Sequence, residues 1–239
     1  MLDGLSVFFP CYNEEQNILP VLDSARNVLP GIAKNFEIIV VDDGSVDQTA
    51  ALVAGFASGD SRVRLIRHER NQGYGTALQS GFQAARLPWV FFTDADRQFN
   101  LEDLKVLIEV AGNADIVSGY RLQRADPWYR KLNAAIYAFS LRLLMGLSAR
   151  DVNCAFKLYR REIFERIPLR TRGALINAEI LCRAQRAGFR TVWIGVTHRP
   201  RIAGVPTGAK PRVILKAIVE FWMLFFDLRK MRPPRKNNY

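Results

Sequence analysis

Asp94-Ala95-Asp96 places two carboxylates one residue apart, with the side-chain oxygen of Gln98 close behind. Standing where a strand ends, these groups can reach one hard cation. Mg²⁺ and Mn²⁺ favour a few protein carboxylates completed by substrate phosphate oxygens. A cation held there would bridge a diphosphate and stabilise its charge as it leaves. The same spacing also describes a solvated turn, so its position decides the reading. Two more polar runs bear on that: Pro10-Cys11-Tyr12-Asn13-Glu14-Glu15 and Asp42-Asp43-Gly44-Ser45. The second reads either as a turn with a helix cap at Ser45 or Asp47, or as a site where Asp43 accepts hydrogen bonds from a base or ribose. In the first, Pro10 fixes the turn, Tyr12 offers a stacking face and Glu14 an acceptor for ribose. The glycines of Asn71-Gln72-Gly73-Tyr74-Gly75 fit a diphosphate loop or a plain helix N-terminus.

The flanking elements line these runs up. Leu5–Pro10, Glu37–Asp42, Val63–Arg67, Trp89–Thr93 and Asp115–Gly119 are short, apolar and bounded by turn residues, which predicts buried strands. Between them, 14–29, 47–57, 73–85 and 101–110 carry apolar residues at helical spacing, with Asp47 and Asn100 as N-caps. Such alternation predicts a mostly parallel α/β sheet covered on both faces, with ligands beyond the carboxyl ends of its strands. All three acidic runs follow predicted strands and so share one rim. Further on, 128–147 reads as an amphipathic helix with Ile136, Phe139, Leu143 and Leu147 on one stripe. A strand at 154–159, a helix at 178–187 and a strand at 191–197 complete the pattern.

Charge divides the chain. Residues 1–120 hold 9 Lys+Arg against 16 Asp+Glu, a net −7, and residues 121–239 hold 25 against 7, a net +18. This split argues against an even basic coat for nucleic acid and suggests acids that hold a cation beside bases that meet an anion. Arg121, Arg124, Arg130 and Arg201 are candidates to hold an anionic acceptor, and a hydroxyl acceptor would need a base, for which Asp151 is the candidate. His68 and His198 lie too far apart in sequence to suggest a histidine metal site. Three cysteines without a C-x-x-C pair suggest reduced thiols and a cytosolic compartment. The N-terminus does not read as a signal peptide, and no run is long enough to span a bilayer. Residues 211–228 have a broad apolar face flanked by Lys210, Arg212, Arg229, Lys230, Arg232, Arg235 and Lys236, which predicts a tail lying on an anionic membrane surface.

In this order and spacing, VFFPCYNEE, VVDDGS, HERNQGYGTAL and TDADRQF resemble the inverting GT-A glycosyltransferases of family two. SGYR at 118–121, the run from Asp151 to Tyr159 and HRPR at 198–201 resemble the polyprenyl-phosphate, or dolichyl-phosphate-mannose-synthase-like, branch. The match covers about residues 4–205, leaving 206–239 as a basic amphipathic, membrane-associating tail. The resemblance implies a Rossmann-like GT-A fold and a nucleotide-sugar donor, GDP- or UDP-linked, contacted at Pro10, Tyr12, Glu14, Val41 and Asp43 and along Asp94, Ala95 and Asp96. It implies Mg²⁺ or Mn²⁺ at Asp94, Asp96 and Gln98, and phosphate-facing Arg121 and Arg201 for a lipid-phosphate acceptor. Two departures stand out. Cys154-Ala155-Phe156 replaces the branch's small-Gly-Phe segment, and Thr207 stands where the branch has a lysine, a role for which Lys210 is the candidate. Two other readings stay open: transfer to a glycan or lipid-linked hydroxyl with Asp151 as base, and a degenerate, non-enzymatic fold acting as a basic membrane adaptor.

Overall fold

The computed structural model describes residues 1–122, 128–200 and 211–231, with the backbone alone for 128–133 and 211–214. Its strands are β1 (Leu2–Cys11), β2 (Ala33–Asp42), β3 (Val63–Arg67), β4 (Trp89–Thr93), β5 (Ile116–Arg121), β6 (Phe156–Arg160) and β7 (Thr191–Val196). They form one sheet in the order β3-β2-β1-β4-β6-β5-β7. All pairings are parallel except those of β6, which runs against both β4 and β5. The helices are α1 (Ile18–Val28), α2 (Thr49–Gly59), α3 (Tyr74–Ala84), α4 (Leu104–Ala111), α5 (Trp128–Met145), α6 (Glu162–Arg166), α7 (Ile176–Arg186) and α8 (Pro211–Lys230).

Gly4–Cys11 of β1 is buried residue after residue, because helices cover both faces of a central parallel strand. Side chains of α1, α2 and α4, among them Leu22, Val53 and Leu107, pack with Leu5, Val7 and Val40 on one face. On the other, Leu78 of α3, Leu181 of α7 and Leu224 of α8 join Phe8, Ile39 and Phe92. β3 and β4 have the bounds expected from sequence, and β1 and β2 extend further toward their N-termini. Helix α1 starts four residues later than the periodicity suggests, since residues 14–17 form a turn in which Glu14 O accepts from the amides of Asn17 and Ile18. Helix α6, five residues long, is too short to show helical periodicity. Asn100 caps the 3₁₀ turn Leu101–Asp103 ahead of α4, accepting from Glu102 N.

The apolar stripe expected over 128–147 points outward except at Leu147, which lies past the end of α5 and is buried. Ile136, Phe139 and Leu143 are exposed, while Leu141 and Met145 turn into the core. Helix α8 is divided likewise, with Leu224 and Leu228 buried and Leu215, Ile218, Trp222, Met223 and Phe226 exposed. Among the described residues, no helix is long and apolar enough to cross a membrane.

All three cysteines are free and buried. Burial pushes the thiols of Cys154 and Cys182 up to about 12 and that of Cys11 well above its ordinary value. Because the thiolate is the reactive form, native protein at pH 8 should react with iodoacetamide more than about 10²-fold slower than free cysteine. Mass spectrometry before and after denaturation checks this, and rapid labelling of the native protein would contradict it.

Candidate active site

The parallel strands bring their carboxyl ends to one rim, where the chain supplies Tyr12–Glu15, Asp43, His68, Asp94–Asp96 and Arg121. The reversed β6 starts at that rim, pairing Phe156 with Thr93, so the preceding turn brings Asp151 there as well.

The first two loops are stitched together. Asn13 N donates to Ser45 Oγ at 2.8 Å, Val46 N to Asn13 Oδ1 at 2.9 Å and Glu14 N to Thr49 Oγ1 at 2.9 Å. Ser45 therefore does not cap α2. Nor is Asp47 the N-cap, which is Gln48 without a side-chain bond, although Asp47 Oδ1 accepts from Thr49 N at 3.0 Å. Glu14 is buried, and its Oε2 accepts from Asn17 Nδ2 at 2.6 Å. Tyr12, 37% exposed, presents its ring at the rim, whereas the Val41 side chain is wholly inside the core. Pro10 and Ala95 are buried as well, which limits these three positions to backbone or close-packing contact with any ligand.

Asp43 turns inward. Its Oδ1 accepts from Gln72 N at 2.9 Å and faces His68 Nδ1 at 2.7 Å, and its Oδ2 accepts from Gly73 N at 2.8 Å. The other ring nitrogen of His68 lies 2.9 Å from Ser80 Oγ. This carboxylate thus shapes the 71–73 loop. His68 is part of the site, and the signal for it is its place directly after β3. The glycines of that loop make room for protein: a Cβ on Gly75 would stand 2.6 Å from the carbonyl carbon of Arg172, and Gly75 N donates to Arg172 O at 3.1 Å.

After β4, Asp94 Oδ1 accepts from the Tyr74 hydroxyl at 3.1 Å. Asp96 is 6% exposed and oriented by Gln98 N, which donates to its Oδ1 at 3.1 Å. Gln98 Nε2 donates to Arg199 O at 3.1 Å, and Arg199 N to Gln98 O at 2.7 Å, tying the segment after β7 to this loop. A cleft of about 160 Å³ opens beside it, lined by Thr93, Asp94, Arg97 and Arg199. A larger cavity, about 320 Å³, lies between α3 and α6, away from the rim. Among the described residues no three His, Cys, Asp or Glu side chains converge as a metal cage. Two carboxylates at a strand end do fit a cation that takes its remaining ligands from water and a diphosphate.

Arg121 and Asp151 form a two-pronged ion pair, Nε to Oδ2 at 2.7 Å and Nη2 to Oδ1 at 2.9 Å, with Asp151 7% exposed. The sequence reading gave them separate tasks, but the structure joins them. Arg201, Lys210 and Arg124 lie outside the described residues, as does the side chain of Arg130.

A mostly parallel, helix-covered sheet with acidic loops along its carboxyl rim is the GT-A architecture. Residues 6–168 match the family model described as glycosyl transferase family 2, and the chain belongs to that family. It is 31% identical over 225 residues to an uncharacterised glycosyltransferase of Mycobacterium tuberculosis, covering 92% of this chain and 97% of that one. It is 33% identical over 205 residues to the undecaprenyl-phosphate 4-deoxy-4-formamido-L-arabinose transferase of Pectobacterium atrosepticum. That match takes in 85% of this chain and 62% of the relative, so the chain spans less than two thirds of it. Its fold is similar to glucosyl-3-phosphoglycerate synthase of M. tuberculosis, solved with Mn²⁺, UDP-glucose and phosphoglyceric acid, at a TM-score of 0.73. That likeness has 22% identity and covers 94% of this chain and 80% of the other.

Proposed function

We propose that this glycosyltransferase moves a sugar, with inversion, from a UDP- or GDP-linked donor to the phosphate of a polyprenyl-type lipid at the cytosolic face of a membrane. Asp94 and Asp96 would hold Mg²⁺ or Mn²⁺ against the donor diphosphate, with Gln98 as a further oxygen. When bound, the cation neutralises charge that develops on the leaving diphosphate. Tyr12 offers its ring to the base, while Asp43 and Glu14 hold the loops around the nucleotide.

The Arg121–Asp151 pair carries the choice of acceptor. A carboxylate that gives both oxygens to one guanidinium is poorly placed to take a proton from a hydroxyl. A phosphate monoester, with a second pKa of about 6, is already an anionic nucleophile at pH 7 and needs no base. What it needs is a cation to hold it in line with the anomeric carbon, and Arg121, oriented by Asp151, supplies one at the end of β5. The relative from Pectobacterium is named for an undecaprenyl-phosphate acceptor, which agrees with this choice. The test is a donor screen with purified protein, Mn²⁺ or Mg²⁺ and a short polyprenyl phosphate. Transfer to free sugar hydroxyls but not to the lipid phosphate would overturn the assignment.

We place the acceptor side against the membrane through α8. Trp222 is 47% exposed and Phe226 56%, and α5 packs beside α8 with Phe139 exposed at 65%. These apolar residues are exposed on two helices that pack together in the basic half of the chain, where each Lys or Arg near anionic headgroups contributes about 1 kcal/mol. Of the flanking bases, Lys210, Arg232, Arg235 and Lys236 lie outside the described residues. Helix α8 also packs on the catalytic body through Leu224 and through Asp227, which is paired with Arg183, so a truncation would open the core. A better variant is Leu215→Ser/Trp222→Ser/Phe226→Ser. Wild type should pellet with anionic vesicles at low salt and the triple variant should stay in the supernatant; equal behaviour would refute docking through this face.

A further inference from the structure

Lys157 of β6 is fully buried beneath the rim, a costly place for a cation unless acceptors surround it. Three do. Its Nζ donates to Val152 O at 3.0 Å, to Cys154 O, and to Asn177 Oδ1 at 3.3 Å. The two carbonyls belong to the turn directly after Asp151, which the ammonium therefore closes from within. The Asn177 side chain also approaches the Tyr74 hydroxyl, the group that donates to Asp94 Oδ1. A row of polar groups thus stands under the rim between Asp94 and the turn bearing Asp151. Burial pulls the pKa of Lys157 down to about 8, so it still carries its charge at neutral pH.

We infer that Lys157 is a positioning residue, setting the Arg121–Asp151 pair at a fixed distance from the Asp94 loop through the 152–154 carbonyls and Asn177. A side chain needed only to fill this space would be apolar, since a well-packed hydrophobe is as stable as a buried ion or more so. The ammonium matters because two anions, donor diphosphate and acceptor, must meet between loops carried by different strands. A misplacement of about 1 Å there costs on the order of 10²-fold in rate.

The inference rests on the glycosyl-transfer reading, and its test separates the two. Lys157→Met keeps the length of the side chain and removes the charge. Unfolding temperature, calorimetric binding of UDP and GDP with Mn²⁺, and kcat and acceptor KM with polyprenyl phosphate would be measured well below the variant's unfolding midpoint. Nucleotide affinity should stay within about threefold of wild type while kcat falls on the order of 10²-fold. A folded Lys157→Met protein with wild-type kcat would overturn the positioning role and leave the glycosyl-transfer reading standing. Wild-type protein that binds neither nucleotide and transfers nothing would instead sink that reading. Should Lys157→Met fail to fold, Asn177→Ala breaks the same row one group nearer Asp94. Lost kcat with retained nucleotide affinity supports the inference there too, and unchanged kcat refutes it.

Discussion

The Asp96→Ala protein should fold normally and lose roughly 10²–10³ of its turnover, the usual cost of removing one electrostatic contact made in the transition state. Asp96 is 6% exposed and its Oδ1 accepts from Gln98 N, so the substitution also frees one amide. That loss costs about 1 kcal/mol of stability, too little to unfold a domain of this size. Asp94→Ala should behave alike, and it also strands the Tyr74 hydroxyl that donates to Asp94 Oδ1. Circular dichroism establishes that each variant is folded, and a donor assay with and without EDTA reads the rate. Near-normal transfer by Asp96→Ala in EDTA would end the metal-dependent reading.

Arg183→Met should cause the largest loss of stability. Arg183 and Glu179 are 2% and 0% exposed, with Nε to Oε1 at 2.8 Å. Glu179 also accepts from Arg170 N at 3.0 Å, Thr171 N at 2.8 Å and Thr171 Oγ1 at 2.7 Å, and Arg183 reaches Asp227 of α8. Removing the guanidinium leaves an uncompensated buried carboxylate, at a cost of about 3–5 kcal/mol. At about 2–4 °C per kcal/mol for a chain of this length, unfolding should come roughly 6–20 °C earlier. The double variant Glu179→Gln/Arg183→Met should recover part of the loss, because the stranded charge is then gone. A single-variant shift below about 3 °C would show that the pair contributes little.

The turn that Glu179 clamps, 170–171, is followed by Arg172, whose peptide packs on Gly75. The stability of α7 and α8 therefore reaches the loop that Asp43 shapes. Sequence patterns gave no sign of this connection, because it joins residues from four separate elements with no common motif.

The amino-acid sequence determined the order of strands and helices, the placement of three acidic loops after strands, and the likeness to family two. These depend on local rules: short apolar runs bounded by turn residues make buried strands, and parallel pairing gathers their carboxyl ends. Val63–Arg67 and Trp89–Thr93 were legible to the residue for that reason. Only the tertiary structure decided the direction of β6, and with it the meeting of Arg121 with Asp151, 30 residues apart. It decided too that Asp43 faces inward to His68 and the 72–73 amides, and that Lys157 sits beneath the rim rather than in solvent. It turned the stripe on α5 outward, where periodicity marks an apolar face without saying what covers it. The physical reason is common to all of these. A side chain's type and spacing set what it can bond, but its partner is chosen by strand pairing and helix packing between distant segments, which no local window contains.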